Sequence, residues 1–175
     1  INFNRSNFEL DANGVRQQVN AITSYLDGSN VYGSDTERAA ALRSFTGGQM
    51  RVSAGNLLPV LSDVENESGG RPIAGLFAAG DSRANEHVGL TAIHTLFVRE
   101  HNRLAGIIAA QNPQFSDEQL YQLARKIVSA ELQLITYNEF LPALLGDAAP
   151  AISDYSYDGS VDAGVMNAFA SAAYR

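Results

Sequence analysis

At 175 residues and 45% hydrophobic content, the chain is long enough to bury one ordinary core and is not compositionally disordered. Its formal charge of −7 argues against a general binder of nucleic acid or anionic membrane, because both need clustered Lys and Arg. The lack of cysteine excludes disulfide scaffolds, zinc–thiolate sites, iron–sulfur clusters and a cysteine nucleophile, without fixing the compartment. No apolar run of about 18 residues is present to span a membrane as a helix. Lysine occurs once, at Lys126, and all other basic side chains are arginine, which fits either permanent bidentate pairing or composition bias. The start, Ile-Asn-Phe-Asn-Arg-Ser, is not a signal peptide and lacks an initiator Met, so a processed chain or a fragment is expected.

In chain order, residues 1–14 read as a polar loop ending at Asn13-Gly14. Val19, Ile22 and Leu26 recur at helical spacing, which predicts a short helical or turn segment from Val15 to Leu26. Gly28, Asn30, Gly33 and Asp35 interrupt any regular element. Ser34 or Asp35 can cap a short helix from Thr36 to Phe45, which Gly47-Gly48 ends. Residues 49–80, punctuated by Pro59, Gly69-Gly70, Pro72 and Gly75, read as long loops with short strand pieces. Irregular stretches of that length within a compact domain are often functional.

Two strong helices follow. In the first, Leu90, Ile93, Phe97, His101, Leu104 and Ile108 form one stripe, and Asn112-Pro113 closes it. In the second, Ser116 with Gln119 is a capping box, Asp117 and Glu118 suit the positive helix start, and Leu120, Leu123, Ile127, Leu134 and Ile135 make the apolar side. The short connection predicts that the two helices pack together. Tyr137 to Leu145 continues the second helix or kinks at Pro142 before Gly146. Residues 147–160 are loop, and Ser160 or Asp162 starts a last helix through Val165, Phe169 and Ala172.

The candidate chemistry is weak residue by residue. His94 and His101 are seven apart, about 10 Å along a helix axis, too far to share one ion easily. His101 lies on the apolar stripe and reads as a satisfied core histidine, while His87 reads as a polar loop residue. Gly80-Asp-Ser82 resembles a hydrolase nucleophile block, but an aspartate three residues before a histidine is missing at Ala84, Thr91 and Val98. Thr23, the Tyr25 carbonyl, Asp27 and Ser29 place oxygens at alternate positions, which suits either a hard cation such as calcium or a plain turn. Arg83 and Glu86 are a surface ion pair or part of a site. Asn4-Arg-Ser and Asn66-Glu-Ser match the glycosylation pattern, which is common by chance.

Taken together, these segments carry a resemblance. Gln18-Val-Asn-Ala-Ile-Thr-Ser-Tyr-Leu-Asp27-Gly-Ser-Asn-Val-Tyr-Gly-Ser34, Phe77-Ala-Ala-Gly-Asp-Ser-Arg-Ala-Asn-Glu86, Leu90-Thr-Ala-Ile-His-Thr-Leu-Phe-Val-Arg-Glu-His-Asn-Arg-Leu104 and Ile135-Thr-Tyr-Asn-Glu-Phe-Leu-Pro-Ala-Leu-Leu-Gly146 resemble the animal-type haem peroxidases of the peroxidase–cyclooxygenase superfamily. The resemblance implies a mainly α fold, a helical haem-peroxidase core with long irregular loops. Residues 1–175 would be the central part of one such domain.

The same resemblance implies cofactors and roles. Arg83 matches the arginine on the distal side of the haem, whose fixed charge stabilises negative charge as the peroxide O–O bond breaks. Glu86 matches the glutamate that forms an ester with a haem methyl in many members, so haem b is expected, with or without that link. A sulfonium link is not expected, because His87 stands where some members have Met. Thr23, Tyr25, Asp27 and Ser29 match most of a structural calcium site, and His94 and His101 match core positions. The family's distal histidine, with its neighbouring calcium-ligating aspartate, would precede Ile1. The iron-binding proximal histidine would follow Arg175.

The expected activity is therefore haem-dependent oxidation of halide, thiocyanate or organic donors by hydrogen peroxide. A fatty-acid dioxygenase is the related alternative, and a non-catalytic helical fragment lacking both histidines is the alternative from another class. The implied partners are the remaining segments of the domain, peroxide and a small reducing substrate, with no nucleic acid and no membrane span. The parent protein is expected to be secreted or extracellular.

Overall fold

The computed structural model describes residues 8–19, 22–68, 72, 74–166, 168, 169 and 172. The chain divides into two compact units, residues 1–25 with 157–175, and residues 26–156.

In the smaller unit, the expected N-terminal loop is a hairpin. Strands β1 (Phe8–Leu10) and β2 (Arg16–Gln18) pair antiparallel, with Glu9 opposite Gln17. Asp11 builds the turn, its Oδ1 accepting from the N–H groups of Asn13 and Val15 at 2.9 Å each, and Gly14 supplies a φ of 75°. The Arg16 guanidinium lies 4.1 Å from the Phe8 ring centroid. Asn13-Gly14 is thus the middle of a hairpin, and the helical spacing of Val19, Ile22 and Leu26 is coincidental. Three-residue strands are too short to show alternation. Residues 161–166 are not helical, so the expected start of a terminal helix at Ser160 or Asp162 fails, but the described Ala168, Phe169 and Ala172 beyond are helical.

The larger unit is mainly helical, as expected. The Gly28–Asp35 stretch was expected to interrupt regular structure, but Gly28 and Gly33 bracket a one-turn helix, α1 (Ser29–Tyr32). Helix α2 (Thr36–Leu42) is capped by Asp35, whose side chain accepts from the Arg38 N–H. It ends three residues before Phe45 because Arg43 turns extended, bridges Met50 and pairs with Asp117 at 2.9 Å and Glu118 at 2.5 Å. The described residues between 43 and 80 are irregular, with isolated bridges Arg43–Met50, Ser53–Leu57 and Val60–Phe77.

Helices α3 (Val88–Gln111) and α4 (Asp117–Ile135) pack together. The expected capping box at Ser116 and Gln119 forms. The buried faces are rotated from the expected stripes. On α3 the core takes His94, Thr95, Val98, His101, Ala105 and Ile108, while Ile93 is half exposed. On α4 it takes Leu120, Tyr121, Ala124 and Val128, while Leu123, Leu134 and Ile135 are exposed. Ala105 and Ala124 permit close helix approach, and the buried polar members each make at least one hydrogen bond, some within the helix and, for His101, to distant segments. Thr95 Oγ1, for example, donates to the Thr91 carbonyl at 2.8 Å.

Beyond α4 the chain stays helical. Thr136–Phe140 is a π-helical turn in which the Leu141 N–H donates to the Thr136 carbonyl, five residues back. Helix α5 (Leu141–Leu145) then accommodates Pro142 in its first turn and ends at Gly146, φ 57°.

At the centre, His101 is fully buried. Its Nε2–H donates to the Gly48 carbonyl at 2.8 Å, so Nδ1 accepts from the Tyr32 hydroxyl at 2.9 Å. The rings of Tyr32 and Tyr121 meet it at centroid distances of 5.3 and 5.2 Å. A Cβ at Gly48, φ 68°, would lie 2.5 Å from that of Leu120, so only glycine fits beneath the ring.

Burial, reinforced by the nearby Arg43 and Arg125 charges, pushes the His101 pKa below its ordinary value of 6.5, against the pull of the Gly48 bond. The unfolded chain therefore binds more protons below about pH 6.5, and stability must fall as pH drops through that value. Urea unfolding at pH 7 and pH 5 should show this loss. In His101→Gln, itself less stable, the part of the slope owed to His101 should vanish.

Candidate functional site

The turn that carries Arg83 is fixed from every side. Before it, Gly80 passes so close to α1 that an added Cβ would sit 2.2 Å from the Ser29 carbonyl oxygen. The Asp81 N–H donates to the Asn30 carbonyl at 3.1 Å. Asn85, buried, clamps the backbone of Phe77, accepting from its N–H at 2.9 Å and donating to its carbonyl at 2.7 Å. Ala84 is fully buried, and its carbonyl accepts from the Thr91 hydroxyl at 2.7 Å. The Glu86 N–H closes the turn onto the Arg83 carbonyl at 2.8 Å.

Arg83 and Glu86 thus share one short turn, but the ion pair of Arg83 is with Asp81. The Asp81 carboxylate accepts from the Arg83 backbone N–H at 2.9 Å, from Nε at 3.0 Å and from Nη2 at 2.7 Å. Burial opposes ionisation of Asp81, yet the hydrogen bonds and charge of Arg83 prevail and hold its pKa below the usual carboxylate value. Hydrogen bonding to Asp81 raises the pKa of Arg83 in turn. The side chain of Arg83 is 48% exposed and that of Asp81 12%. Sequence reading missed Asp81 and Asn85; an acid two residues before an arginine in a Gly-initiated turn is the signal that could have found the first.

His87 is more than a loop residue. It caps α3, its Nδ1 accepting from the Leu90 N–H at 3.2 Å. His94 is buried and its Nδ1–H donates to the Leu90 carbonyl at 2.8 Å.

The four residues expected at calcium divide between the two units. In the smaller, Thr23 Oγ1 accepts from the Tyr25 N–H at 2.9 Å. In the larger, Asp27 Oδ1 accepts from the Ser29 N–H at 2.9 Å, and α4 grips the neighbouring backbone. Ser129 donates to the Asp27 carbonyl at 3.0 Å and Gln133 to the Leu26 carbonyl at 2.8 Å. Of the two glycosylation patterns, Asn4 lies outside the described residues. Asn66 turns its Nδ2 inward to the Val64 carbonyl at 3.3 Å, which is no posture for a glycan acceptor.

The animal haem peroxidase family profile matches residues 1–175. The chain belongs to the animal haem peroxidase family. It is 44% identical to a Mus musculus peroxidasin homolog, over 91% of this chain and 12% of that protein. It is also similar in structure to peroxidase A of Dictyostelium discoideum, with TM-score 0.79 and 36% identity, covering 93% of this chain and 32% of that one. An Oryza sativa fatty acid alpha-dioxygenase matches with TM-score 0.57 and 32% identity, over 70% of this chain and 18% of that one. The chain therefore spans well under half of each of these proteins.

The residues present are compatible in chemistry with the family's haem. A half-exposed guanidinium and an exposed carboxylate stand on a turn with a fixed backbone. No cluster of three or more His, Cys, Asp or Glu able to hold a metal occurs among the described residues. For calcium, the oxygens of Thr23 and Asp27 each accept an N–H and retain lone pairs, and one carboxylate is little charge for such an ion. Beside the turn, an open groove of about 820 Å³ is lined by Leu57, Phe77, Asn85, Val88, Ile93 and Leu96, among others.

Replacing Asn85 by Ala would leave the Phe77 N–H and carbonyl unsatisfied and loosen the turn. The expected cost is about 2–6 kcal/mol of unfolding free energy, at about 1–3 kcal/mol for each of the two unsatisfied buried groups. Denaturant melts of the variant check this.

Proposed function

We propose that the parent protein is a haem peroxidase that uses hydrogen peroxide to oxidise a small donor such as halide, thiocyanate or an organic reductant. The chain would form the central part of its catalytic domain. The observation that carries the reading is the rigid turn presenting Arg83 and Glu86 together, in a chain whose family and structural relatives include named peroxidases. The similarity to a peroxidase over 93% of the chain, against 70% for the dioxygenase, favours peroxide reduction over fatty-acid oxygenation. Haem, when bound, would supply the redox chemistry that splits peroxide and oxidises the donor.

The chain's own residues would do three things. Arg83 would donate hydrogen bonds to the peroxide oxygen that gains negative charge as the O–O bond breaks, without giving up a proton. Glu86 would anchor the macrocycle at its edge, as an ester where that bond forms. Thr23, Tyr25, Asp27 and Ser29 would bind calcium with ligands from elsewhere in the domain, the Asp27 end being tied to α4 through Ser129. The general acid–base group is expected outside this chain. The family likeness also favours a secreted parent.

In the full-length protein, Arg83→Ala should slow the reaction of resting haem with peroxide by about 100-fold, the scale of losing one transition-state donor. Stopped-flow absorbance measures it, and an unchanged rate defeats the assignment. Glu86→Gln should leave haem extractable by acidified organic solvent while the wild type, after peroxide treatment, retains it. If the wild type releases its haem just as freely, Glu86 forms no ester.

A further inference from the structure

The role given to Arg83 depends on where its guanidinium points, and a half-exposed arginine with four side-chain torsions does not hold one direction unaided. We propose that Asp81 is the positioning residue of the site: it fixes the orientation of Arg83 and converts it from a free cation into a directed hydrogen-bond donor. The proposal rests on the reading of Arg83 as the distal donor.

Three distances carry the first half. One carboxylate accepts the Arg83 backbone N–H at 2.9 Å and Nε at 3.0 Å on Oδ1, and Nη2 at 2.7 Å on Oδ2. Fastening the backbone and two guanidinium nitrogens of one residue defines its torsions. Nη1 is the nitrogen that Asp81 does not engage.

The anchor is itself tied to the core. The Asp81 side chain is 12% exposed, its N–H is bonded to Asn30 at 3.1 Å, and Gly80 before it is wedged against α1. The direction of Arg83 is therefore referred to a helix of the core.

The second half is electrostatic. An anion at 2.7 Å cancels most of the guanidinium charge at any distance large compared with the pair. Glu67 and Glu86 add to this negative surround. What remains is short-ranged and directional. Hydrogen peroxide is neutral and loses nothing by this, whereas a permanent anion would be drawn to an uncompensated arginine. Removing the Asp81 charge should therefore move two properties in opposite directions, which loss of mere structural support would not.

The test uses full-length protein carrying Asp81→Asn, Arg83→Ala or both, with Arg83→Lys as a variant that keeps the charge but cannot chelate. Peroxide reaction rates and thiocyanate dissociation constants are read on haem-loaded protein, and thermal midpoints on haem-free protein. Asp81→Asn should slow the peroxide reaction about 10-fold while binding thiocyanate several-fold more tightly. The double variant should be no slower than Arg83→Ala, and Arg83→Lys should be slowed nearly as much as Arg83→Ala.

An unchanged peroxide rate in Asp81→Asn overturns the proposal, as does full activity of Arg83→Lys. So does a double variant slowed beyond Arg83→Ala by the whole factor seen for Asp81→Asn alone, since Asp81 would then act independently of Arg83. If Arg83→Ala itself reacts normally, the reading of Arg83 fails and takes the proposal with it. Non-additive thermal midpoints would then mark the pair as purely structural, so the two failures are told apart.

Discussion

The imidazole of His101 sits where three pieces of the larger unit meet, and its two hydrogen bonds hold them together. Through Nδ1 it reaches Tyr32 on α1, and through Nε2 it reaches the Gly48 carbonyl in the irregular stretch after α2. Both partners are 53 or more residues away in sequence. In a low-dielectric core a bond of this kind costs far more to break than it contributes net, so the neutral tautomer and its neighbours are fixed together. Gly48 must be glycine for the backbone to come close enough, and its N–H is held in turn by Asp117 at 2.6 Å. One ring thus sets α1, the long loop and the start of α4 relative to α3.

That arrangement explains how so much irregular backbone is sustained. The described residues between 43 and 80 have few strand partners, yet their polar groups must be paired. Two asparagines act as one-residue strand mimics, because an amide offers both a donor and an acceptor. Asn102, next to His101, takes the N–H and carbonyl of Met50 at 2.7 and 3.0 Å. Asn85 does the same for Phe77. Arginines supply the remaining donors. Arg99 reaches the Gly55 and Asn56 carbonyls, and Arg38 the Ala79 carbonyl. The arginine-rich composition therefore has a use that lysine, with its single compact ammonium, would serve less well.

The sequence carried the helices and their caps because those signals are local. Ser116 with Gln119, Asp35, and Asn112 with Pro113 each act within a few residues of where they stand. The buried faces were harder to read. Apolar periodicity pointed rightly to His101 but also to Ile93 and Leu134, which stay exposed, whereas the core further chose Ala105, Tyr121 and Ala124, residues selected by partners far away in the chain or by close helix approach. The hairpin at Asn13-Gly14 was hidden by the brevity of its strands. Arg83 and Glu86 were legible only through the family motif, and Asp81, which holds Arg83, left only the faint local signal of an acid two residues before an arginine. A chelate between residues two apart leaves no periodic trace.

The value of the Arg83 turn depends on what covers it. At 48% exposure, water screens the guanidinium and competes for its donors, so it could do little for a transition state. Preorganised donors become strong where water is excluded and the local dielectric is low. The backbone around Arg83 is already rigid, from Gly80 against α1 to Asn85 on Phe77, so no ordering remains to be done there. The missing ingredient is desolvation. Immediately beyond, Val88 is 84% exposed and opens a groove whose apolar lining is the kind of surface that burial favours. In the proposed enzyme, a macrocycle and its surrounding segments laid over this turn would exclude water from Arg83 without having to reshape it. Catalytic strength would then arise from covering a donor that the core has already aimed.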